Sequence, residues 1–212
     1  MKRVSEQQIE ESIANFNFLG RLKSCRPFGN GHINDTYLLT FEIGDMGMVD
    51  VILQRMNREV FTKPVELMEN IVGVTSYLRE KIIANGGDPE RETLNIIPAK
   101  DGKAYYVDSE GEYWRAYKFI TNATSYDQVE KPEDFYESAV AFGNFQRLLA
   151  DYPAETLHET IKGFHDTKAR LQVFKDAAAK DVCGRAALVQ KEIEFVRMYS
   201  AISWKKEKSL CG

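Results

Sequence analysis

Residues Gly29–Tyr37 read Gly-Asn-Gly-His-Ile-Asn-Asp-Thr-Tyr, and this polar turn with two glycines decides the fold of the chain. Strand-like runs flank it at Leu22–Phe28 and Thr36–Ile43. Glycine lacks a Cβ, so its backbone reaches positive φ and can lie close to a ligand. Successive backbone N–H groups in such a turn can face a phosphate. A Gly-x-Gly turn is equally compatible with an ordinary hairpin connection, so the motif alone leaves both interpretations open.

The segments around the turn predict a small sheet with one inserted helix. Apolar side chains at helical spacing predict a first helix at residues 5–16. A longer helix follows the third strand, with Thr62 as its predicted N-cap, Pro64 in its first turn and Gly86-Gly87 at its end. The predicted strands are, in chain order, Leu22–Phe28, Thr36–Ile43, Met48–Arg55, Leu94–Pro98 and Tyr113–Ile120.

The composition changes at Thr121, where Thr-Asn-Ala-Thr-Ser forms a short polar link to a block with helical spacing. Helices are predicted after Pro132, at 168–180 and at 185–202. The predicted inner face of the helix after Pro132 consists of Phe135, Ala139, Phe142, Phe145, Gln146 and Leu149. Phe142, Phe145 and Phe164 are expected in the core. We therefore expect three parts: an N-terminal block at 1–121, a helical block at 122–202 and a tail at 203–212.

Composition narrows the classes of function. The chain has 212 residues, 43% hydrophobic and 28% charged, with a net charge of −4, as in ordinary soluble proteins. Scattered basic residues and a negative net charge argue against a nucleic-acid or anionic-membrane partner. The sequence shows no secretory signal and no apolar run of the ~18 residues that a membrane span needs. Cys25, Cys183 and Cys211 are far apart and odd in number, so we expect no disulfide framework and a cytoplasmic location.

Five ordered segments resemble the N-acetylhexosamine 1-kinases of the aminoglycoside-phosphotransferase-like superfamily, from about residue 10 to about residue 202. The segments are Gly-Asn-Gly-His-Ile-Asn-Asp-Thr-Tyr-Leu (29–38), Ile-Leu-Gln-Arg-Met-Asn (52–57), Trp-Arg-Ala-Tyr-Lys-Phe-Ile (114–120), Ala-Phe-Gly-Asn-Phe-Gln (141–146) and Phe-His-Asp-Thr (164–167). The resemblance implies an α+β fold, with a kinase-like N-lobe followed by an incomplete, mainly helical C-lobe. It also implies phosphorylation of the anomeric hydroxyl of an N-acetylhexosamine, dependent on ATP and Mg²⁺.

The resemblance implies that the glycine turn covers the ATP phosphates and that residues 117–120 form the hinge beside adenine. Kinases usually place a lysine on the third strand. This chain has Gln54-Arg55 there, so one of these is expected to contact the nucleotide, with a solvated strand end as the alternative for Arg55. Glu66 and Glu69 are then expected to face solvent. The expected nucleotide-binding residues are Gly29, Asn30, Gly31, Ile33, Thr36, Gln54, Lys118, Phe119 and Ile120.

The same resemblance suggests residues for a small sugar acceptor, since sugar hydroxyls need directed donors and acceptors. The expected acceptor-binding residues are His32, Asn34, Asn144 and His165. For His32 and Asn34 the alternative is a residue that stabilises the turn locally. For Asn144 and His165 the alternative is a satisfied contact in the core.

The acidic groups of phosphoryl transfer are not recognisable in the sequence. Such transfer needs an Asp that orients the hydroxyl and a carboxylate that holds magnesium. Asp166 does not match that loop, because Leu171 stands where a metal-binding Asn is required. No catalytic residue and no metal ligand is therefore assigned. We expect the N-terminal portion of a sugar kinase that is inactive alone and is monomeric if complete. The alternatives are a non-catalytic nucleotide- or partner-binding module and a phosphotransferase for another small hydroxylated acceptor.

Overall fold

The computed structural model describes residues 3–124, 126, 128–129 and 131–199, so the expected tail at 203–212 lies outside the described residues. It is a mixed α+β structure in which a small antiparallel sheet is accompanied by helices, as the sequence predicts. The strands are β1 (Arg21–Pro27), β2 (Asp35–Glu42), β3 (Met48–Arg55), β4 (Ile96–Ile97), β5 (Tyr106–Val107) and β6 (Tyr113–Lys118). The helices are α1 (Glu6–Asn15), α2 (Pro64–Ala84), α3 (Pro89–Glu92), α4 (Pro132–Leu148) and α5 (Thr167–Lys180).

The strands pair in the order β1-β2-β3-β6-β4, and β5 adds to β6. β3 has the predicted bounds, whereas β4 is shorter than predicted and β6 ends at Lys118. The short elements α3 and β5 were not predicted. Cross-strand pairing places Thr36 opposite Gln54, and Gln54 opposite Arg115. Because directly paired residues of neighbouring strands point to the same side, these three lie on one face of the sheet.

The other face of the sheet packs with α1 into the main core. Ser5 and Gln8 form a capping box that starts α1. Asp108 connects this helix to the sheet, since its Oδ2 accepts hydrogen bonds from Gln8 Nε2 at 2.9 Å and Trp114 Nε1 at 2.8 Å. The buried cluster consists of Phe16, Leu39, Phe41, Val51, Leu53, Ala99, Trp114 and Ala116.

The long helix α2 begins differently from the prediction. Its N-cap is Lys63, which makes no side-chain cap, so Thr62 is not the cap. Pro64 occupies the first turn as predicted, where its missing N–H has no intrahelical partner to lose. The helix ends at Ala84, and Gly86 follows with a φ of 75°, a conformation that favours glycine.

The predicted core aromatics of the helical block are exposed. α4 begins at Pro132 as predicted, but none of its residues is buried. Phe142 is 68% exposed, Phe145 44% and Phe164 49%. The expectation of a buried inner face is therefore wrong for these residues. Helical spacing defines which side chains share a face, but burial depends on another element that covers that face.

The described chain divides into two compact units, Met1–Ile161 and Lys162–Gly212. The second unit contains α5 and a helical segment at 190–199, where Ile193 is buried. The boundary expected near residue 121 stays a prediction. Cys25 in β1 and Cys183 in the second unit are exposed free thiols. None of the helices within the described part of the chain is long and apolar enough to cross a membrane.

Candidate nucleotide cleft

The glycine turn between β1 and β2 is closed by a hydrogen bond from the Phe28 N–H to the Thr36 carbonyl at 2.9 Å. Gly29 has a φ of 81°, which a residue with a Cβ adopts only with strain. Gly31 has no such requirement, and a Cβ built on either glycine would meet no atom within 4 Å. The turn therefore has open space beside its backbone, into which a ligand could enter.

A cleft of about 420 Å³ lies between the turn and the end of β6. Its volume is within the range of about 300–1,000 Å³ that is typical of small-molecule sites. The lining residues are Phe28, Gly29, Gly31, Thr36, Ile52, Leu94, Tyr117, Lys118, Phe119, Ile120 and Ala123. The cleft thus brings together six of the expected nucleotide-binding residues, namely Gly29, Gly31, Thr36, Lys118, Phe119 and Ile120. Asn30, Ile33 and Gln54 are not part of this lining.

The segment at residues 118–120 lines the cleft, and its main-chain N–H groups differ in whether they are hydrogen-bonded. The Lys118 N–H donates to the Asn95 carbonyl at 2.9 Å, and the Phe119 N–H donates to the Asp50 carbonyl at 3.1 Å. Among the described residues, none accepts a hydrogen bond from the Ile120 N–H. The rings of Phe28 and Phe119 meet edge to face, with centroids 5.3 Å apart, and form an apolar wall. This arrangement can hold a flat heteroaromatic ring between an apolar wall and a main-chain donor.

The ammonium group of Lys118 is paired with a carboxylate. Its Nζ forms an ion pair with Glu90 Oε2, while Glu90 Oε1 accepts from Arg79 Nη2 at 2.6 Å. These hydrogen bonds, that of Lys118 first, lower the pKa of the Glu90 carboxyl. Lys118 is therefore positioned to serve the cleft through its backbone, while its charge is matched by Glu90.

A polar row crosses the sheet on the face of the cleft. Gln54 Nε2 donates to Thr36 Oγ1 at 2.8 Å, and Gln54 Oε1 accepts from Arg115 at 2.9 Å from Nε and 2.6 Å from Nη2. Thr36 lines the cleft, so the row begins at the cleft wall. Sequence reasoning missed Arg115, because an arginine in an aromatic strand is usually a solvated or edge residue. Its pairing position opposite Gln54 is the signal that identifies it.

Arg55 takes a different position from Gln54. Its side chain points to the α1 side of the sheet, where it is 2% exposed and pairs with Asp35 at 2.6 Å. It is therefore not the solvated strand end considered above. Glu66 pairs with Lys63 at 2.9 Å, and Glu69 is exposed and pairs with His158 at 2.8 Å.

The four residues expected to bind an acceptor are distributed over two units. His32 is exposed in the glycine turn, and Asn34 Oδ1 accepts from the Asn57 N–H at 2.8 Å. Asn144 is exposed on α4, and its Oδ1 accepts from Arg147 Nη2 at 2.9 Å, so it is not a core contact. His165 belongs to the second unit, where its ring meets Phe164 edge to face and stays exposed. Asn34 therefore has a structural partner of its own beyond the turn.

Asp166, whose sequence context does not match a catalytic loop, has a structural role. Its Oδ1 accepts from the Ala169 N–H at 2.9 Å and caps α5. Within residues 3–124, 126, 128–129 and 131–199, no group of three or more His, Cys, Asp or Glu side chains could hold a metal ion. The described residues therefore offer no fitted site for a resident metal.

Comparison with known proteins identifies the fold. No family model matches the chain. A crystal structure of spectinomycin phosphotransferase, APH(9)-Ia, in complex with ADP and spectinomycin is similar, with a TM-score of 0.55 at 12% sequence identity. The match covers 97% of this chain and 59% of that chain, so this chain spans about three fifths of the length of the neighbour. The α+β structure therefore has a kinase-like fold. The similarity to this phosphotransferase does not support a specificity for N-acetylhexosamines.

Proposed function

We propose that this chain binds an adenine nucleotide in the cleft beneath the glycine turn and forms part of a phosphotransferase that acts on an alcohol group of a small molecule. The observation that carries the proposal is the cleft itself. It joins the open backbone of the turn to the Ile120 N–H, a main-chain donor that has no acceptor among the residues that the structure describes. The complex of the neighbouring phosphotransferase with ADP supports the choice of nucleotide.

Adenine is the base that fits the segment after β6. The Ile120 N–H would donate to a ring nitrogen, and the Lys118 carbonyl would accept from the exocyclic amine, because alternate residues of an extended chain direct these groups to the same side. Phe119 and Ile52 would supply the apolar walls. The phosphates would then extend toward Gly29 and Gly31, whose missing side chains allow backbone amides to approach them.

Magnesium would enter with the nucleotide, since phosphate oxygens are among its preferred ligands. Within the cleft, this chain's own residues bind and orient the base and the phosphates. The acceptor that the sequence resemblance suggests is the anomeric hydroxyl of N-acetylglucosamine or N-acetylgalactosamine. His32 and Asn34 belong to the same turn as Gly29 and Gly31 and would supply its polar side chains to the acceptor.

The test is calorimetric titration of the purified chain with ADP and with IDP. The base of IDP offers a donor where adenine offers an acceptor, so it opposes the Ile120 N–H. We expect ADP to bind and IDP to bind about tenfold or more weakly, because a mismatched buried donor costs on the order of 1–3 kcal/mol. Failure of ADP to bind a monodisperse, folded sample would overturn the proposal. Equal binding of the two nucleotides would overturn the assignment of the adenine contacts.

A coupled assay of ADP release separates the two classes of function that the sequence leaves open. Turnover with an N-acetylhexosamine would support the acceptor proposed above. Turnover with an aminoglycoside instead would show that the acceptor is of another class. Turnover on any acceptor would exclude a non-catalytic module, whereas ADP binding without turnover is expected of such a module and equally of a kinase portion that is inactive alone.

A further inference from the structure

Arg115 carries a positive charge that no acidic side chain neutralises within the described chain. Its hydrogen bonds go to the neutral Oε1 of Gln54. By contrast, Arg55 pairs with Asp35 and Arg79 pairs with Glu90. Burial lowers the pKa of the Arg115 guanidinium, as expected for a desolvated cation. Keeping a charge partly buried without a counter-ion costs free energy, and a bound anion would offset that cost.

The guanidinium also has a nitrogen that remains open to a ligand. Arginine carries N–H donors on three nitrogens, and those on Nε and Nη2 bond Gln54. Nη1 has no partner among the described residues. Ser12 Oγ is the one fully buried side-chain polar atom without a partner in that part of the chain, so Nη1 of Arg115 is not fully buried. An anion bound at Nη1 would leave the bonds to Gln54 in place.

Arg115 lies one row beyond Ile52 and Tyr117 of the cleft lining, in the same row as Thr36, which does line the cleft. Ile52 and Tyr117 are cross-strand partners that line the cleft, and Gln54 and Arg115 form the next row on the same face. At about 3.3 Å per residue the two rows are roughly 7 Å apart. Counted from Ile120, the second row lies toward the glycine turn. A nucleotide with its base at Ile120 would extend its phosphates in this direction.

We propose that Arg115, held by Gln54, binds the phosphate oxygens of the nucleotide and so supplies from β6 the cation that kinases usually place on the third strand. The proposal rests on the proposed function of the cleft. A planar guanidinium can donate to two phosphate oxygens at once, and the bonds that Arg115 donates to Gln54 Oε1 fix the plane of the group. Gln54 is then a positioning residue. It is uncharged at the place where kinases usually have a lysine, and its cross-strand partner Arg115 supplies the positive charge instead.

The experiment compares adenosine, AMP and ADP as ligands of the wild-type chain and of Arg115→Gln. We expect affinity to rise with phosphate number in the wild type. Arg115→Gln should lower ADP affinity by about 10- to 100-fold, as loss of a charged hydrogen bond does, and should leave adenosine affinity within about twofold. Lys23→Gln is the matched control, because it makes the same change in net charge at an exposed ion pair with Glu42. It should leave all three affinities unchanged.

A second variant keeps the test decisive if Arg115→Gln does not fold. Gln54→Glu places a carboxylate beside Arg115 and neutralises it inside the row, without loss of side-chain volume. We expect a folded protein, by circular dichroism, that binds ADP no better than adenosine. A preference for ADP that persists in this variant would overturn the proposal.

The outcomes distinguish this proposal from the proposed function. A wild-type chain that binds ADP and adenosine equally would overturn the role of Arg115 and leave the nucleotide cleft intact. Equal losses of adenosine and ADP binding in Arg115→Gln would assign the residue to the framework of the sheet alone. A wild-type chain that binds no adenine ligand would overturn the proposed function, and the role of Arg115 with it.

Discussion

Asn34 Oδ1 accepts a hydrogen bond of 2.8 Å from the backbone N–H of Asn57 and thereby ties the glycine turn to the end of β3. Asn57 itself is nearly buried. Asn34→Ala leaves that N–H without its partner, so we expect a loss of about 1–2 kcal/mol in the free energy of unfolding. Urea denaturation measures it. Asn34→Asp, which keeps an acceptor oxygen, should recover most of the loss, and an equal loss in both variants would contradict the role of this bond.

The two glycines of the turn are expected to respond differently to alanine. Gly29→Ala forces a Cβ into a φ of 81°, so its unfolding free energy should fall by about 1–2 kcal/mol. Gly31→Ala meets no atom within 4 Å and should be nearly neutral in stability. If phosphates lie against this backbone, Gly31→Ala should still weaken ADP binding by about tenfold. Thermal melting and calorimetry on the pair test this, and unchanged ADP affinity in Gly31→Ala would place the phosphates elsewhere.

Asp108 is expected to be a main stabilising residue of the first unit. Besides Gln8 and Trp114 it accepts from the backbone N–H groups of Glu110 and Glu112, at 3.0 and 2.8 Å. Asp108→Ala leaves several buried donors unsatisfied, so the unfolding free energy should fall by about 3–5 kcal/mol. Denaturant unfolding measures the loss. Asp45→Ala, at an exposed position in the turn between β2 and β3, is the control, with an expected change below about 0.5 kcal/mol.

Tyr106 and Glu11 should make stability depend on pH at both extremes. The Tyr106 hydroxyl donates to Glu11 Oε1 at 2.7 Å. Burial first, and then this bond, raise the pKa of Tyr106 to about 12. Its contribution is therefore present below the unfolded pKa of about 10 and is lost as the pH rises toward 12. In Tyr106→Phe, the ultraviolet titration of the tyrosines should lack the component that ionises at the highest pH. The free energy of unfolding should also fall less between pH 10 and 12 than it does in the wild type.

At acid pH, Glu11 should make the protein less stable as the pH falls. Hydrogen bonds from Ser109 first, and then from Tyr106, lower the pKa of Glu11. The stability that Glu11 contributes is present above its unfolded value of about 4.5 and is lost as the pH falls through the lowered folded value. Glu11→Gln should flatten the pH dependence of stability below pH 4.5. An unchanged acid profile would show that other carboxyls dominate it.

The exposed aromatic side chains of α4 should bind a hydrophobic dye in solution. Phe135 and Phe142 are each more than three fifths exposed. Replacing both with Lys should reduce binding of a hydrophobic dye and reduce aggregation, with a melting temperature changed by no more than a few degrees. Glu133→Gln and Glu137→Gln together form the polar control on the same helix. A large loss of stability in the lysine variant would show that this face is covered in solution.

Sequence reasoning succeeded where local chemistry is sufficient. The start of β3 follows from the turn at Gly44–Gly47, and Pro64 marks the first turn of α2. It was wrong where burial depends on a distant element. The spacing of Phe142 and Phe145 defines one face of α4, but nothing in that spacing states whether another element covers it.

The site shows the same limit. The glycine turn and the segment at 117–120 can be recognised locally, and both line the cleft. Arg115 could not be recognised, because its environment depends on Gln54, which lies 61 residues earlier in the chain. The residue gains a possible role only when the strand register places it opposite a neutral partner. Gln54 and Arg55, by contrast, take opposite faces simply because successive side chains of a strand alternate.

The two exposed thiols allow the distance between the compact units to be followed by fluorescence energy transfer. Cys25 lies in the first unit and Cys183 in the second. With Cys211→Ser in the background, a donor and an acceptor fluorophore attached to them would convert their separation into an energy-transfer efficiency. Partial desolvation raises the pKa of the Cys25 thiol although the residue is exposed, so labelling at mildly alkaline pH should favour complete reaction there. Titrating ADP into the labelled chain would then report whether occupancy of the cleft is felt by the helical unit.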